Sequence, residues 1–147
     1  RNSTPRRSRR TRFVTRSTIA SARTVRRQTP TGAMNVSTPE QTALDLVEYP
    51  HVAGGWDNVA SVLAELGPQI RPDAVVDLIS QAAHPRAIQR LGHLLDLVRA
   101  DDAARALADE LAPRALLYVA FEPSASIAGA ARDDRWHLIM NRTFEVE

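Results

Sequence analysis

The sequence contains no cysteine and no lysine, and only 5% of its 147 residues are aromatic. The absence of cysteine excludes a disulfide framework and thiolate metal sites, and it fits a reducing cytoplasm, where we expect the protein to be located. No apolar run approaches the roughly 20 residues that a membrane-spanning helix needs, so the sequence predicts a soluble chain. Its length fits one domain with a real core, since such a chain can bury about 70% of its unfolded surface.

Acidic residues are also absent from one part of the sequence, and this absence divides the charge unevenly. Residues 1–39 hold 10 arginines and no acid, whereas residues 40–147 hold 9 arginines and 17 acidic residues. The two parts carry net charges of +10 and −8, although the formal total is only +2. A genome rich in G and C would explain why arginine replaces lysine, but it does not explain why the basic residues cluster.

Motifs for catalysis and cofactor binding are missing as well. The sequence has no Gly-rich phosphate loop, no Gly-x-Ser-x-Gly elbow and no His-Glu-x-x-His pair, and its 4 histidines lack metal-ligand spacing. His93 and Asp96 lie one turn apart on a predicted helix, which we interpret as a solvated pair. Asp133 and Asp134 read as ordinary loop residues. We therefore expect no catalytic site, no cofactor and no metal.

The N-terminal part predicts a basic arm followed by short strands. Residues 1–11 are rich in arginine and lack apolar periodicity, so we expect a disordered arm there and a domain over residues 12–147. A mitochondrial transit peptide is an alternative interpretation of the same composition. The strands are bounded by Pro and Gly between Thr and Val, which favours a hairpin over a helix. The predicted strands are residues 12–17, 23–29 and 33–36, with a turn at residues 30–32.

The clearest helix signals begin at Thr38. Thr38 can cap a helix, Pro39 suits the first helical position, and Gln41 completes a capping box. The helix should end before Pro50, whose ring disfavours a helical conformation at the preceding residue. Asp45, inside this helix, either faces solvent or is a buried carboxylate that holds an arginine or a backbone N–H.

Apolar residues at helical spacing predict four further helices, which begin near Asp57, Pro72, Pro85 and Asp101. We expect Asp101 or its neighbour Asp102 to cap the last of them. The residues that the spacing turns inward are Ala43, Leu44, Leu46, Val47, Val59, Val62, Leu63, Leu66, Val75, Leu78, Ile79, Ala82, Ile88, Leu91, Leu95, Val98, Ala104, Leu107, Ala108 and Leu111.

Three residues in and around these helices have predicted packing roles. Gly92 lies in the middle of a predicted helix, where glycine is about 1 kcal/mol less favourable than alanine. A glycine at this position is expected if another helix crosses close over it. Trp56 and Trp136 are interpreted as core residues.

The C-terminal part predicts strands. Residues 115–121 are an apolar run of strand length, which predicts a strand covered on both faces. Residues 123–134 read as a loop, and residues 135–147 alternate, with a bulge or turn near Asn141. The predicted fold class is α+β: short N-terminal antiparallel strands, a central bundle of about five helices, and a C-terminal pair of strands completing a sheet.

Part of this sequence resembles a known family. Residues 36–47 read Val-Ser-Thr-Pro-Glu-Gln-Thr-Ala-Leu-Asp-Leu-Val, and Tyr-Pro, Ala-Gly-Gly, Asn-Val-Ala, Ala-Glu-Leu and Arg-Leu-Gly-His-Leu-Leu follow. Over residues 33–98 these segments resemble the C-terminal domain of the AbiEi family, which comprises antitoxins and transcriptional repressors of bacterial type IV toxin-antitoxin systems for phage abortive infection. The resemblance implies an antitoxin that helps repress its own operon and suppresses a nucleotidyltransferase-like toxin. We expect the upstream winged-helix domain of the family to be absent here.

The basic segment is the one feature that indicates a class of partner. Guanidinium groups bind phosphate oxygens bidentately, and a cluster of them without acids attracts a nucleic-acid backbone. The candidate nucleic-acid-binding residues, all in predicted strands, are Arg12, Arg16, Arg23, Arg26 and Arg27. We expect weak, phosphate-driven binding to duplex DNA. The alternatives are a protein-interaction module without DNA affinity, acidic on its helical side, and a nucleotide-modifying enzyme.

Overall fold

A computed structural model describes residues 24–29, 32–81 and 85–144, and its first element is a β-hairpin. Strand β1 (Thr24–Thr29) pairs antiparallel with β2 (Gly32–Ser37), in a register that joins Thr24 to Ser37 and Thr29 to Gly32. The two described strands therefore match the predicted strands at residues 23–29 and 33–36 to within a residue, while residues 30 and 31 of the predicted turn lie outside the described part of the chain. The predicted arm at residues 1–11 and the predicted strand at residues 12–17 lie outside the described part of the chain.

Five α-helices follow the hairpin, close to where the apolar spacing predicts them. A short 3₁₀-helix, Gly67–Gln69, extends the second of them. The helices are α1 (Pro39–Glu48), α2 (Trp56–Leu66), α3 (Pro72–Gln81), α4 (Pro85–Leu97) and α5 (Asp101–Leu111).

The start of α1 confirms half of the predicted capping box. Thr38 is the N-cap, and its Oγ1 accepts a hydrogen bond from the Gln41 backbone N at 3.1 Å. The other half is wrong, because the Gln41 side chain donates to Asp45 Oδ1 at 2.8 Å instead of reaching back to the cap. Asp45 is only 6% exposed, so the buried alternative holds, with a side-chain amide as a partner.

The hydrophobic core is formed by one face of each helix and by residues from the C-terminal segment. Leu44 is 1% exposed and Leu95 is 0% exposed, which confirms the predicted inward faces of α1 and α4. The core also includes both tryptophans, as the sequence predicts. Its largest fully buried side chains are Trp136, Phe121, Leu44, Leu63, Leu78, Ile88, Leu91, Leu94, Leu95, Leu107 and Leu138.

The C-terminal segment forms a three-stranded mixed sheet, not a pair of strands. Strand β5 (Leu138–Met140) lies in the middle, parallel to β3 (Val119–Ala120) and antiparallel to β4 (Ala131–Asp133). In the described residues this sheet is separate from the hairpin β1-β2. Strand β4 falls in the segment predicted as a loop, and β5 ends just before Asn141, near the predicted turn.

The apolar run at residues 115–121 is the least accurate strand prediction. Only β3 within it is a strand, and Leu117 is 80% exposed, so the run is not covered on both faces. The physical reason is that β5 offers β3 only a two-residue parallel ladder. The carbonyl of Leu117 accepts its hydrogen bond from the side chain of Gln89.

Gly92 makes room for an indole ring and not for a crossing helix. A Cβ added at Gly92 would lie 2.2 Å from Trp136 Cζ3, far inside van der Waals contact. Trp136 is fully buried against this position. The sequence predicts a close approach here correctly, but the approaching group comes from the C-terminal segment.

The predicted cap of α5 is wrong by one or two residues. Ala100 is the N-cap and makes no side-chain cap bond, while Asp101 and Asp102 occupy the first turn. The reason is the tight turn after α4, in which Arg99 adopts a φ of 65° and Ala100 N donates to Leu95 O at 2.8 Å. The two acids still lie beside the positive end of the helix dipole.

Candidate functional site

Two of the five candidate nucleic-acid-binding arginines lie in the described residues, both on β1. The register pairs Arg26 with Asn35 and Arg27 with Met34. Three further candidates lie outside the described part of the chain, namely Arg12, Arg16 and Arg23. The structure therefore places two adjacent arginines of the predicted site on one strand.

The strands that carry these arginines contain no acid. Strand β1 reads Thr-Val-Arg-Arg-Gln-Thr and β2 reads Gly-Ala-Met-Asn-Val-Ser, so Arg26 and Arg27 are the only charged residues of the two strands. A pair of arginines without a neighbouring acid in the same strands favours contact with a phosphate backbone.

The helical surface carries charge of the opposite sign. Three of its carboxylates bond to arginines, Asp73 to Arg71 at 2.8 Å, Asp102 to Arg105 at 3.3 Å and Asp57 to Arg142 at 3.3 Å. The hydrogen bond from Arg71 holds the pKa of Asp73 below its ordinary value. The exposed acids of the helices are Asp57, Glu65, Asp73, Asp77, Asp101, Asp102, Asp109 and Glu110. This surface repels a phosphate backbone and favours a basic partner.

A buried glutamate joins the start of α1 to the segment before α3. Glu40 is 4% exposed, and its Oε2 accepts a hydrogen bond from the Arg71 backbone N at 2.7 Å. The bond satisfies a carboxylate that would otherwise be costly to bury. This acid therefore has a structural role in the helical bundle.

The polar side chains of α4 do not form the solvated pair that the sequence predicts. His93 Nδ1 lies 2.9 Å from Asp133 Oδ2, on β4. Asp96 Oδ2 accepts a hydrogen bond from Trp136 Nε1 at 2.7 Å, and its Oδ1 accepts from Arg135 Nη1 at 3.1 Å. Both residues of α4 therefore bond to the C-terminal sheet and its turn, about 40 positions away in sequence.

Asp133 is likewise not an ordinary loop residue. Its Oδ1 accepts hydrogen bonds from the backbone N of Arg135 at 3.0 Å and of Trp136 at 3.2 Å. These bonds shape the turn between β4 and β5, while the other carboxylate oxygen meets His93. The residue thus fixes the turn and attaches it to α4.

Gln89 completes the attachment and is missed by sequence reasoning. It is 2% exposed, and its Nε2 lies 3.0–3.1 Å from the carbonyl oxygens of Leu117, Trp136 and His137. The only available signal is a polar residue between the inward-facing Ile88 and Leu91. Since these α4 side chains bond to the protein's own sheet, we interpret the network as a structural joint.

The outer side of the sheet carries a small aromatic and charged cluster. The Tyr118 hydroxyl donates to Asp134 Oδ1, which raises the pKa of Tyr118 above its ordinary value. The Arg132 guanidinium lies 4.8 Å from the centre of the same ring, and the ring of His137 is also 4.8 Å from it. The ring of Tyr118 is therefore already engaged by neighbouring side chains.

An open groove of about 290 Å³ lies between the 3₁₀-helix and the start of α5. Its lining includes Ile70 and Val98 together with the charged residues Arg99, Asp101 and Asp102. Within residues 24–29, 32–81 and 85–144, no three His, Asp or Glu side chains come together as metal ligands. No helix in the same part of the chain combines the length and the apolar character needed to cross a bilayer.

Comparisons with known proteins found one matching family model and a solved structure of similar fold. The family model described as "AbiEi antitoxin C-terminal domain" matches residues 4–97, which is more than half of the chain and includes the hairpin and α1–α4. A search of curated proteins gave no match.

A solved structure, described as the crystal structure of RV2827C protein from Mycobacterium tuberculosis, is 20% identical with a TM-score of 0.52. The likeness covers 70% of this chain and 34% of that one, so this chain spans about a third of that protein's length. At this level of identity the likeness shows a shared fold.

Proposed function

Because the chain belongs to the family of AbiEi antitoxin C-terminal domains, we propose that it acts as the antitoxin of a bacterial type IV toxin-antitoxin system. In this proposal it suppresses a nucleotidyltransferase-like toxin, either directly or functionally. The observation that carries the proposal is the family match, which spans the hairpin and four of the five helices. The role is a non-catalytic one, and its phenotype is protection from phage by abortive infection.

Co-expression tests the antitoxin role. The chain is produced together with the nucleotidyltransferase-like product of the adjoining reading frame, and growth of the host is measured. We expect the chain to restore growth. As a control, Leu44→Asp places a charge in the core and should abolish protection by unfolding the chain. If the wild-type chain leaves growth arrest unchanged, the antitoxin role is wrong.

A second part of the proposal is an auxiliary contact with duplex DNA. The support is the basic segment, with 10 arginines and no acid in residues 1–39, and the presence of Arg26 and Arg27 on β1 of a hairpin whose two strands contain no acid. Such a contact neutralises phosphates without reading bases, so it positions a repressor and does not select the operator. We expect weak binding with little sequence preference.

The acidic helical surface supports a second candidate function, a protein-interaction module. Eight exposed acids on α2, α3 and α5 form a surface suited to a basic protein. Capture of the purified toxin by the chain, together with no measurable affinity for duplex DNA, would favour this candidate. A mobility shift with duplex DNA would favour the antitoxin with auxiliary DNA contacts.

A further inference from the structure

Helix α4 differs in charge from the other helices. Each of α1, α2, α3 and α5 carries more acidic than basic residues, whereas α4 carries Arg86, Arg90 and a single acid, Asp96. Both arginines lie in the first half of the helix, and its first turn contains no acid. The positive end of the helix dipole lies at the same place, so the arrangement is unfavourable unless an anion binds.

Arg86 is exposed and has no hydrogen-bond or ion-pair partner among the described residues. It lies one turn before Arg90, and residues at this spacing are neighbours with Cβ atoms about 5–6 Å apart. A like-charged pair at this spacing destabilises a helix by a few tenths of a kcal/mol. The repulsion between Arg86 and Arg90 therefore destabilises the helix, and no described residue pairs with Arg86 to offset it.

Arg90 is half-buried and incompletely paired. Its Nη2 donates to the Ala120 carbonyl at 3.0 Å, but its Nε is buried without a partner among the described residues. Burial lowers the pKa of Arg90, and the charge of Arg86 lowers it further, with Glu122 acting in the opposite direction. The carboxylate of Glu122 is itself bonded to Arg142 at 3.3 Å and to the Ser124 hydroxyl.

We propose that Arg86 and Arg90 form a phosphate-binding pair at the start of α4, separate from the basic N-terminal segment. Two guanidinium groups on one helix face can donate to different oxygens of a single phosphate. The partner is a phosphate group and not a metal or an apolar ligand, because two cations and a helix N-terminus all favour an anion. The phosphate belongs either to a nucleic-acid backbone or to a free ion.

Thermal unfolding in phosphate tests the pair without any assumption about DNA. A ligand that binds only the folded state raises Tm, so sodium phosphate should stabilise the wild-type chain relative to sodium chloride at equal ionic strength. Arg86→Glu should reduce the difference between the two salts, and the part that remains comes from the general exclusion of phosphate from protein surfaces and from the basic N-terminal segment. Arg105→Ala removes an exposed helical arginine that is already bonded to Asp102, and it should retain the difference.

Duplex titration separates the two sources of phosphate. If the source is a nucleic-acid backbone, Arg86→Ala should reduce the magnitude of the slope of log K against log salt by about one unit. Arg105→Ala should leave that slope unchanged. If Arg86→Ala leaves duplex binding unchanged but the Tm difference between phosphate and chloride depends on Arg86, the pair binds free phosphate. If the wild-type chain does not bind the duplex and the Tm difference depends on Arg86, the pair stands and the DNA part of the proposed function fails. A response to phosphate and to duplex that is the same in Arg86→Glu and in the wild type would overturn the pair.

Discussion

At the scale of single residues, the side chains that join α4 to the C-terminal sheet have roles that only the folded chain defines. Asp96 reads as a solvated helical acid in the sequence, yet in the structure it accepts hydrogen bonds from an indole and a guanidinium. Helical periodicity identifies neighbours three or four positions apart, and these partners are about 40 positions away. The inward faces of the helices can be predicted from local spacing in the sequence. The hydrogen bonds between α4 and the C-terminal sheet cannot, because they join residues that are distant in sequence.

Replacing Asp96 should therefore lower the free energy of unfolding, because its role is structural. Asp96→Ala leaves the Trp136 Nε1–H, in a fully buried residue, without its acceptor, so we expect a loss of about 1–3 kcal/mol in the free energy of unfolding. Asp109→Ala, at an exposed position of α5, is the control and should change stability by less than about 0.5 kcal/mol. Urea denaturation measures both. Nucleotide turnover that disappears with Asp96→Ala in a folded variant would contradict the structural role.

Gly92→Ala should destabilise the protein although alanine is the better helix former. The added Cβ would lie 2.2 Å from Trp136 Cζ3, and overpacking of this kind costs about 1–3 kcal/mol. Gly67→Ala is the matched control, because its Cβ would lie 3.6 Å from the Ala100 Cβ, an ordinary contact. Thermal unfolding should show a lower Tm for Gly92→Ala alone. A higher Tm for that variant would mean that the indole does not pack against Gly92.

At the scale of elements, the sequence predicts those that carry their own start and stop signals. The Thr-Pro start of α1, the two strands of the hairpin and the Pro starts of α3 and α4 all appear within a residue or two of their predicted positions. The C-terminal strands are predicted less well, because a strand as short as β3 is defined by its pairing with β5 and by Gln89. An apolar run does not contain that information.

Truncation of three leucines tests this distinction. Leu44→Ala and Leu95→Ala remove almost fully buried side chains and should each destabilise the domain by about 2–5 kcal/mol. Leu117→Ala removes a side chain that is 80% exposed and should cost less than about 0.5 kcal/mol. Chemical denaturation of all three variants gives the comparison. A large loss for Leu117→Ala would restore the buried strand that the sequence predicts at residues 115–121.

At the scale of the whole molecule, the dominant feature is the separation of charge. The basic excess lies in residues 1–39 and the acidic excess in residues 40–147, and the exposed acids of the described helices lie on α2, α3 and α5. This separation is visible in the sequence, because charge is counted and not inferred from folding. The register of the hairpin is not visible in the same way, because a one-residue shift would change which residues of the two strands are paired.

The separation of charge supports the proposed contact between the basic N-terminal segment and the phosphates of duplex DNA. Titration of a labelled duplex at several salt concentrations tests it most directly. If roughly four to six phosphates are neutralised, log K should fall with log salt at a slope of about −4 to −5. Replacing Arg26 and Arg27 together with Ala should reduce the magnitude of that slope by about two units for every sequence. Arg105→Ala, which removes an arginine already bonded to Asp102, should leave the slope unchanged. A flat salt response, or a slope that the double replacement leaves unchanged, would contradict this contact.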